Sequence, residues 1–329
     1  MTAPELADLV ASWPVQPPWS LRPVGSGTNN LSRFVDAASG RFFLRVYQNT
    51  ADAGQVGFEH RLLAELDRAS LPFRVPSPVT ARDGRTVAAT ADGRLAALFR
   101  VLPGEPLARR DVGQIRRCGE ALGQLHRALA RIDLAGARAW PTYGDLERVH
   151  PLVPDPLAAV GQLGLGEIAR RRVARIVRAL AETAPGLYGT LPRQLTHGDP
   201  GPGNMLQVEG RISAVLDFEF AGPDLRAVDA AVGWYWSIGP NWDGGRERAF
   251  GDAFLEGYLG ANGLTAAELS ALPTLSRLER TVALLHRIGR WRQGLAAPEE
   301  AREQAERLLR LDDWLSRARS RPGAAAPRR

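Results

Sequence analysis

The 329-residue sequence predicts an α+β protein in two lobes, an N-terminal antiparallel sheet with one helix followed by a mainly helical C-terminal lobe. Three observations predict it. From Leu21 to Leu102, short apolar segments alternate with glycine turns at Ala38-Ser39-Gly40, Arg82-Asp83-Gly84 and Ala91-Asp92-Gly93, the texture of β-hairpins. After Val101-Leu102-Pro103-Gly104 the apolar residues recur at helical spacing instead. The chain also exceeds the length at which one hydrophobic core usually keeps growing.

One helical stretch interrupts the hairpins, Val56 to Ala69, where Phe58, Leu62, Leu63 and Leu66 share a face. Residues 1–102 thus form the first lobe, with a hinge at about 99–104. In the second lobe, 103–316, Ile115, Cys118, Leu122, Leu125, Leu129 and Ile132 follow steps of 3, 4, 3, 4, 3, a strong amphipathic pattern. Further helices are expected at about 165–184, 245–260, 265–293 and 298–317, while Gln194 to Phe220 reads as short strands and loops. Residues 317–329 are basic and rich in Pro and Ala, which reads as a disordered, solvated tail.

Composition narrows the function. The apolar fraction of 44% and charged fraction of 24% are ordinary for a globular protein. No apolar run approaches the roughly 20 residues of a membrane span, and Met1 to Trp19 does not read as a secretory leader. A cytoplasmic protein without membrane partners is the expectation. Cys118, the only cysteine, excludes an internal disulfide and falls on the apolar helix face. The net charge of +6 and pI near 10.3 suggest nucleic acid. All 42 basic residues are arginine, however, dispersed among 36 acids, so the basicity reads as compositional drift and no nucleic-acid partner is expected.

The chemistry concentrates in His197-Gly198-Asp199-Pro200-Gly201-Pro202-Gly203-Asn204 and Asp217-Phe218-Glu219. Phosphoryl transfer to an alcohol needs the hydroxyl aligned, its proton accepted, and charge between the phosphates neutralised by metal. Asp199 suits the proton. Asn204, five positions on, offers an amide oxygen to a hard cation such as Mg²⁺. Asp217, closing the apolar run Ala214-Val215-Leu216, would present a second metal-binding oxygen at a strand end.

His197-x-Asp199-xxxx-Asn204 has the spacing of the protein-kinase catalytic loop, and Asp217-Phe218 stands where the metal-binding Asp-Phe pair follows. With Gly198 after the histidine, and with Asp217-Phe218-Glu219-Phe220-Ala221-Gly222-Pro223-Asp224 and Asp229 beyond, the chain resembles the aminoglycoside phosphotransferase and choline kinase superfamily. Its nearest branch in appearance is the type II homoserine kinase-like proteins. The resemblance implies a protein-kinase-like fold, ATP and Mg²⁺ as cofactors, and a small-molecule alcohol as acceptor. It implies a glycine turn over the phosphates at Gly25, Ser26 and Gly27, and adenine held by the backbone near Arg100 and Leu102. It places Arg45 where the family carries a phosphate-binding lysine, with Glu59 to pair with it, and makes His197 a support of the catalytic loop. Glu219 either reaches a second magnesium or faces solvent. Arg45 is a departure, since a planar five-donor fork replaces a point charge. A catalytically silent nucleotide-binding pseudokinase is therefore the alternative to a working kinase.

Two residue sets address the acceptor. Trp234, Tyr235, Trp236 and Trp242, with Asp224, Asp229 and Asp243 nearby, form either an aromatic and acidic pocket for a cation or core packing. Arg287, Arg290 and Arg292 bind a carboxylate or line a solvated helix face.

Overall fold

The computed structural model describes residues 2–24, 29–107, 111–134, 140–239 and 245–319. Within these the chain packs as two compact units. The first comprises Met1–Trp140, His197–Gly222 and Ser237–Asn262, and the second Pro141–Thr196, Pro223–Trp236 and Gly263–Arg329.

In the first unit, β1 (Trp19–Pro23), β2 (Leu31–Ala37), β3 (Gly40–Val46), β4 (Ala88–Ala89) and β5 (Leu95–Arg100) form an antiparallel sheet in the order β1-β2-β3-β5-β4. The β2–β3 hairpin turns through Ala38-Ser39, with Ala37 opposite Gly40. Gly40 there has φ +125°, a conformation that side chains resist. One sheet face is covered by α1 (Ala3–Val10), whose Leu6, Leu9 and Val10 pack with Trp13, Phe42, Leu44 and Val46. Successive strand residues face opposite sides, so Arg45 stands on the other face, with α2 (Ala53–Asp67) following in the chain. Asp52 caps α2 by accepting from the Gly54 N–H.

The same unit holds α3 (Val112–Leu129), the small sheet β6-β8-β9 (Glu105–Pro106, Met205–Val208, Arg211–Val215) and α7 (Glu247–Ala261). Glycines bring α3 and α7 backbone to backbone. A Cβ on Gly119 would stand 2.0 Å from the Phe254 carbonyl oxygen, and one on Gly257 1.9 Å from that of Arg116.

The second unit contains α4 (Pro156–Gly161), α5 (Glu167–Thr190), β7 (Arg193–Thr196), α6 (Arg226–Ile238, up to Trp236), α8 (Ala266–Arg292) and α9 (Pro298–Arg319). β7 pairs with β10 (Gly222–Leu225), and α8 packs along α9. The helices expected at 165–184, 245–260, 265–293 and 298–317 correspond to α5, α7, α8 and α9. Three helices were not expected: α1, α4 and α6. No helix among the described residues is long and apolar enough to cross a membrane.

Candidate active site

The catalytic-loop residues take their places through backbone chemistry. The His197 ring accepts at Nδ1 from the Asp199 backbone N–H (3.2 Å), which obliges Nε2 to carry the proton and donate to the Leu216 carbonyl (2.8 Å). The ring packs on Phe218 at a centroid distance of 4.4 Å. His197 thus ties the loop that carries Asp199 to the strand end that carries Asp217. Gly198 has φ +86°, and a Cβ there would lie 2.3 Å from the Phe220 carbonyl oxygen. Only glycine fits that crossing.

Asn204 closes the loop back on Asp199. Its Nδ2 donates to the Asp199 carbonyl (2.8 Å) and to Asp199 Oδ2 (3.1 Å), which fixes the amide so that Oδ1 is the atom turned to other partners. The Leu216 N–H donates to the Asn204 carbonyl at 2.8 Å, setting the loop beside the strand end. Asp217 follows immediately in the left-handed region, φ +66°, a strained backbone for a non-glycine residue of the kind that gathers at functional sites.

Arg45 joins the sheet to this loop. Its Nη1 donates to Glu59 Oε1 (3.1 Å) and its Nη2 to Asp217 Oδ1 (2.8 Å). Burial alone would lower the guanidinium's pKa, but Asp217 and Glu59 outweigh it and hold the group charged. The predicted pair with Glu59 is therefore present, and the second arm reaches the candidate metal carboxylate.

Glu219 is buried and does not face solvent. It accepts from the carboxamides of Asn30 (2.6 Å), Asn29 (3.2 Å) and Asn49 (3.4 Å); the first two end the Val24–Asn30 stretch that the sequence places over the phosphates, and Asn49 is a residue that the sequence reading did not assign to the site. Burial, and then the Asp217 charge, push its carboxyl up to about 7. Among the described residues no three His, Cys, Asp or Glu side chains are grouped as a metal centre. The donor set that suits a hard divalent cation is mixed, two carboxylates and the Asn204 amide oxygen. A cation there would relieve the repulsion that raises Glu219.

The residues expected on the nucleotide side divide. Gly25, Ser26 and Gly27 lie outside the described residues. Arg100 ends β5 exposed, its guanidinium 5.5 Å from the centre of the Phe42 ring, and the next N–H, of Val101, donates to the Arg41 carbonyl (3.0 Å). Leu102 follows, half-buried.

The described acceptor-side candidates Asp224, Trp234, Tyr235, Trp236 and Arg287 fall in the second unit, each engaged within the protein. Trp234 packs on Trp314, at a centroid distance of 5.6 Å. The faces of Tyr235 and Trp236 hold the Arg280 guanidinium at 4.3 and 4.8 Å, and Arg280 itself pairs with Glu279. Arg287 pairs with Glu300 at 3.0 Å. Asp224 accepts from the Tyr188 hydroxyl (2.5 Å) and the N–H groups of Leu225 (2.6 Å) and Tyr143 (2.8 Å), and burial pushes its carboxyl up to about 6. Trp242 and Asp243 lie outside the described residues.

A hairpin sheet with its helix, a buried cation bridging a helix glutamate to an Asp-Phe segment, and a His-x-Asp-xxxx-Asn loop define the two-lobed, protein-kinase-like class. The family model described as "Phosphotransferase enzyme family" (APH) matches residues 20–269, and the chain belongs to that family. It is a phosphotransferase acting on a hydroxyl group. A protein named "Homoserine kinase" from Acidiphilium cryptum (strain JF-5) is 32% identical over 289 residues, 86% of this chain and 83% of that one. Among solved structures, "Structure of the microcompartment-associated aminopropanol kinase" superposes with a TM-score of 0.76 at 21% identity, covering 97% of this chain and 98% of the other. "Amicoumacin kinase hAmiN in complex with AMP-PNP, Ca2+ and Ami" superposes with a TM-score of 0.68 at 16% identity, covering 94% and 92%.

Proposed function

We propose that this phosphotransferase transfers the γ-phosphoryl group of ATP, with Mg²⁺, to the hydroxyl of a small amino alcohol, homoserine first among the candidates. The observation that carries the reading is the Arg45 bridge between Glu59 and Asp217, in the same compact unit as Asp199 and Asn204. It keeps a charged guanidinium beside the Asp217 carboxylate, which supports a working kinase over a silent pseudokinase.

Asp199 accepts or orients the acceptor's hydroxyl proton, held in aim by His197 and Asn204. Asn204 and Asp217 hold the metal, with Glu219 as the second carboxylate of the set. Bound Mg²⁺ supplies charge neutralisation between the phosphates. Arg45 contacts phosphate oxygens, the Gly25-Ser26-Gly27 turn covers them, and backbone near Arg100 and Leu102 meets the adenine. The lobe boundary near 99–104 is the hinge, and the location is cytoplasmic. For the acceptor, similarity to a homoserine kinase supports an amino acid alcohol. The internal engagement of Trp234 and Trp236 supports their packing role. Asp224 and Arg287 remain the candidates for acceptor contact in the second unit.

The test is ADP release with Mg²⁺ and a panel of homoserine, amino alcohols, aminoglycosides and sugars. Homoserine should give the highest kcat/KM. Asp199→Ala should cut turnover by about 10²-fold or more, with nucleotide affinity retained in calorimetry. Asp217→Ala should lose magnesium-dependent nucleotide binding. Equal turnover in Asp199→Ala and the parent protein would sink the assignment.

A further inference from the structure

The fork of Arg45 raises a problem of geometry. Arginine and carboxylate prefer a bidentate pair, two parallel N–H···O bonds. If Glu59 took both terminal nitrogens of Arg45, neither arm would remain for Asp217 or for a phosphate. In the structure the pair is single: Glu59 Oε1 meets Nη1 only. The other oxygen, Oε2, is occupied by the Tyr47 hydroxyl, which donates to it at 2.8 Å. Tyr47 lies two residues beyond Arg45 and so rises on the same side of the chain. It is buried, and its backbone N–H is anchored on the Leu95 carbonyl at 2.8 Å.

The surroundings keep this hydroxyl a donor. Burial, then the Glu59 charge, push the Tyr47 phenol well above its usual range, so it stays protonated. Behind it, His60 Nε2 lies 3.5 Å from the Tyr47 oxygen, and His60 Nδ1 lies 2.7 Å from the Thr86 hydroxyl. Burial, with Arg45 nearby, lowers the His60 pKa to about 4, so this side of the site carries no competing cation.

We propose that Tyr47 is a positioning residue for the Arg45–Glu59 pair, occupying Glu59 Oε2 so that Arg45 keeps one arm for Asp217 and for a nucleotide phosphate. The inference rests on the nucleotide reading above. Tyr47→Phe keeps the ring, which lies 5.9 Å from the Arg45 guanidinium, and removes only the hydroxyl. Oε2 is then released, and the fork closes on Glu59.

The experiment is a cycle of four proteins: parent, Tyr47→Phe, Arg45→Lys and the double variant. Each is measured for Mg–ATP dissociation constant, KM for ATP, kcat and Tm. In the arginine background Tyr47→Phe should raise the dissociation constant and KM about tenfold, the scale of a hydrogen bond to a charged group, with kcat changed less than about threefold. In the lysine background, where a single ammonium cannot close a bidentate pair, the same substitution should change affinity less than about twofold. Unchanged affinity in Tyr47→Phe, or an equal loss in both backgrounds, would overturn the positioning role while leaving nucleotide binding by the parent protein intact. A loss tracking a fall in Tm in both backgrounds would mark Tyr47 as structural only. A parent protein that does not bind Mg–ATP would overturn the proposed function and this inference together.

Discussion

Replacing His197 by alanine tests whether the histidine is a support or a chemical group. The substitution removes the ring's hydrogen bonds to two backbone groups of a half-buried site, the Asp199 N–H and the Leu216 carbonyl. Each costs about 1–3 kcal/mol when left unsatisfied. It also empties the space of a fully buried ring packed on Phe218, worth roughly 2–4 kcal/mol by comparison with other large-to-small core changes. The sum, about 4–10 kcal/mol, is comparable with the whole stability of a typical domain, about 5–15 kcal/mol. A fall in Tm of at least about 8 °C follows, at roughly 2 °C per kcal/mol for a chain of this size. His197→Gln can restore the donor to Leu216 and should recover part of the loss. Urea melts and differential scanning calorimetry give the stability, and turnover at low temperature gives the function. Among molecules still folded, kcat should fall on the order of 10²-fold because Asp199 loses its aim. A His197→Ala protein within about 1 kcal/mol of the parent would refute the supporting role. One fully stable yet inert would make the histidine a reacting group.

The α3–α7 glycine seam makes a second prediction: Gly119→Ala should cost about 2–3 kcal/mol in urea melts, since its methyl would need the space of the Phe254 carbonyl. Gly257→Ala should cost as much, and the double variant clearly less than the sum, because helices once parted accommodate both methyls; strict additivity would contradict the shared seam. Glu219 gives a pH dependence. Its folded carboxyl titrates at about 7 against an ordinary 4.5, so the native state retains a proton that the unfolded chain releases between those values. Its contribution to stability is therefore lost as pH rises from about 4.5 to about 7, and Glu219→Gln should flatten that slope in metal-free buffer. An unchanged slope would assign the titration to other groups.

The site was legible where its residues sit close in sequence or in a familiar spacing. His197, Asp199, Asn204 and Asp217 fall within 21 positions, and the Arg45–Glu59 pair followed from the strand and helix that carry it. The pairing of Asn29, Asn30 and Asn49 with Glu219 was not legible because Glu219 stands at least 170 residues away, although Asn29 and Asn30 belong to the stretch read as the phosphate turn. Tyr47 had a signal, its place two residues after Arg45, but an aromatic on a strand reads first as packing. Among the helices, α2, α3, α5 and α7 to α9 were expected and α6 was not. That helix is buried almost all round, so no polar stripe marks its period. α1 is only eight residues long, although Thr2 and Glu5 form the capping box that announces it. The six residues of α4 are too few for any period to show.

The division of the chain into six alternating segments bears on how such enzymes change their acceptors. Six segments mean five passages between the units, and the segment that carries Asp199, Asn204 and Asp217, residues 197–222, is strung between two stretches of the other unit. A single recombination point between two relatives therefore cannot exchange one unit whole. It would join part of one parent's catalytic unit to part of the other's, across seams as tight as Gly119 on Phe254. New specificities in this architecture are reached more readily by point substitutions on a retained catalytic frame than by shuffling gene fragments.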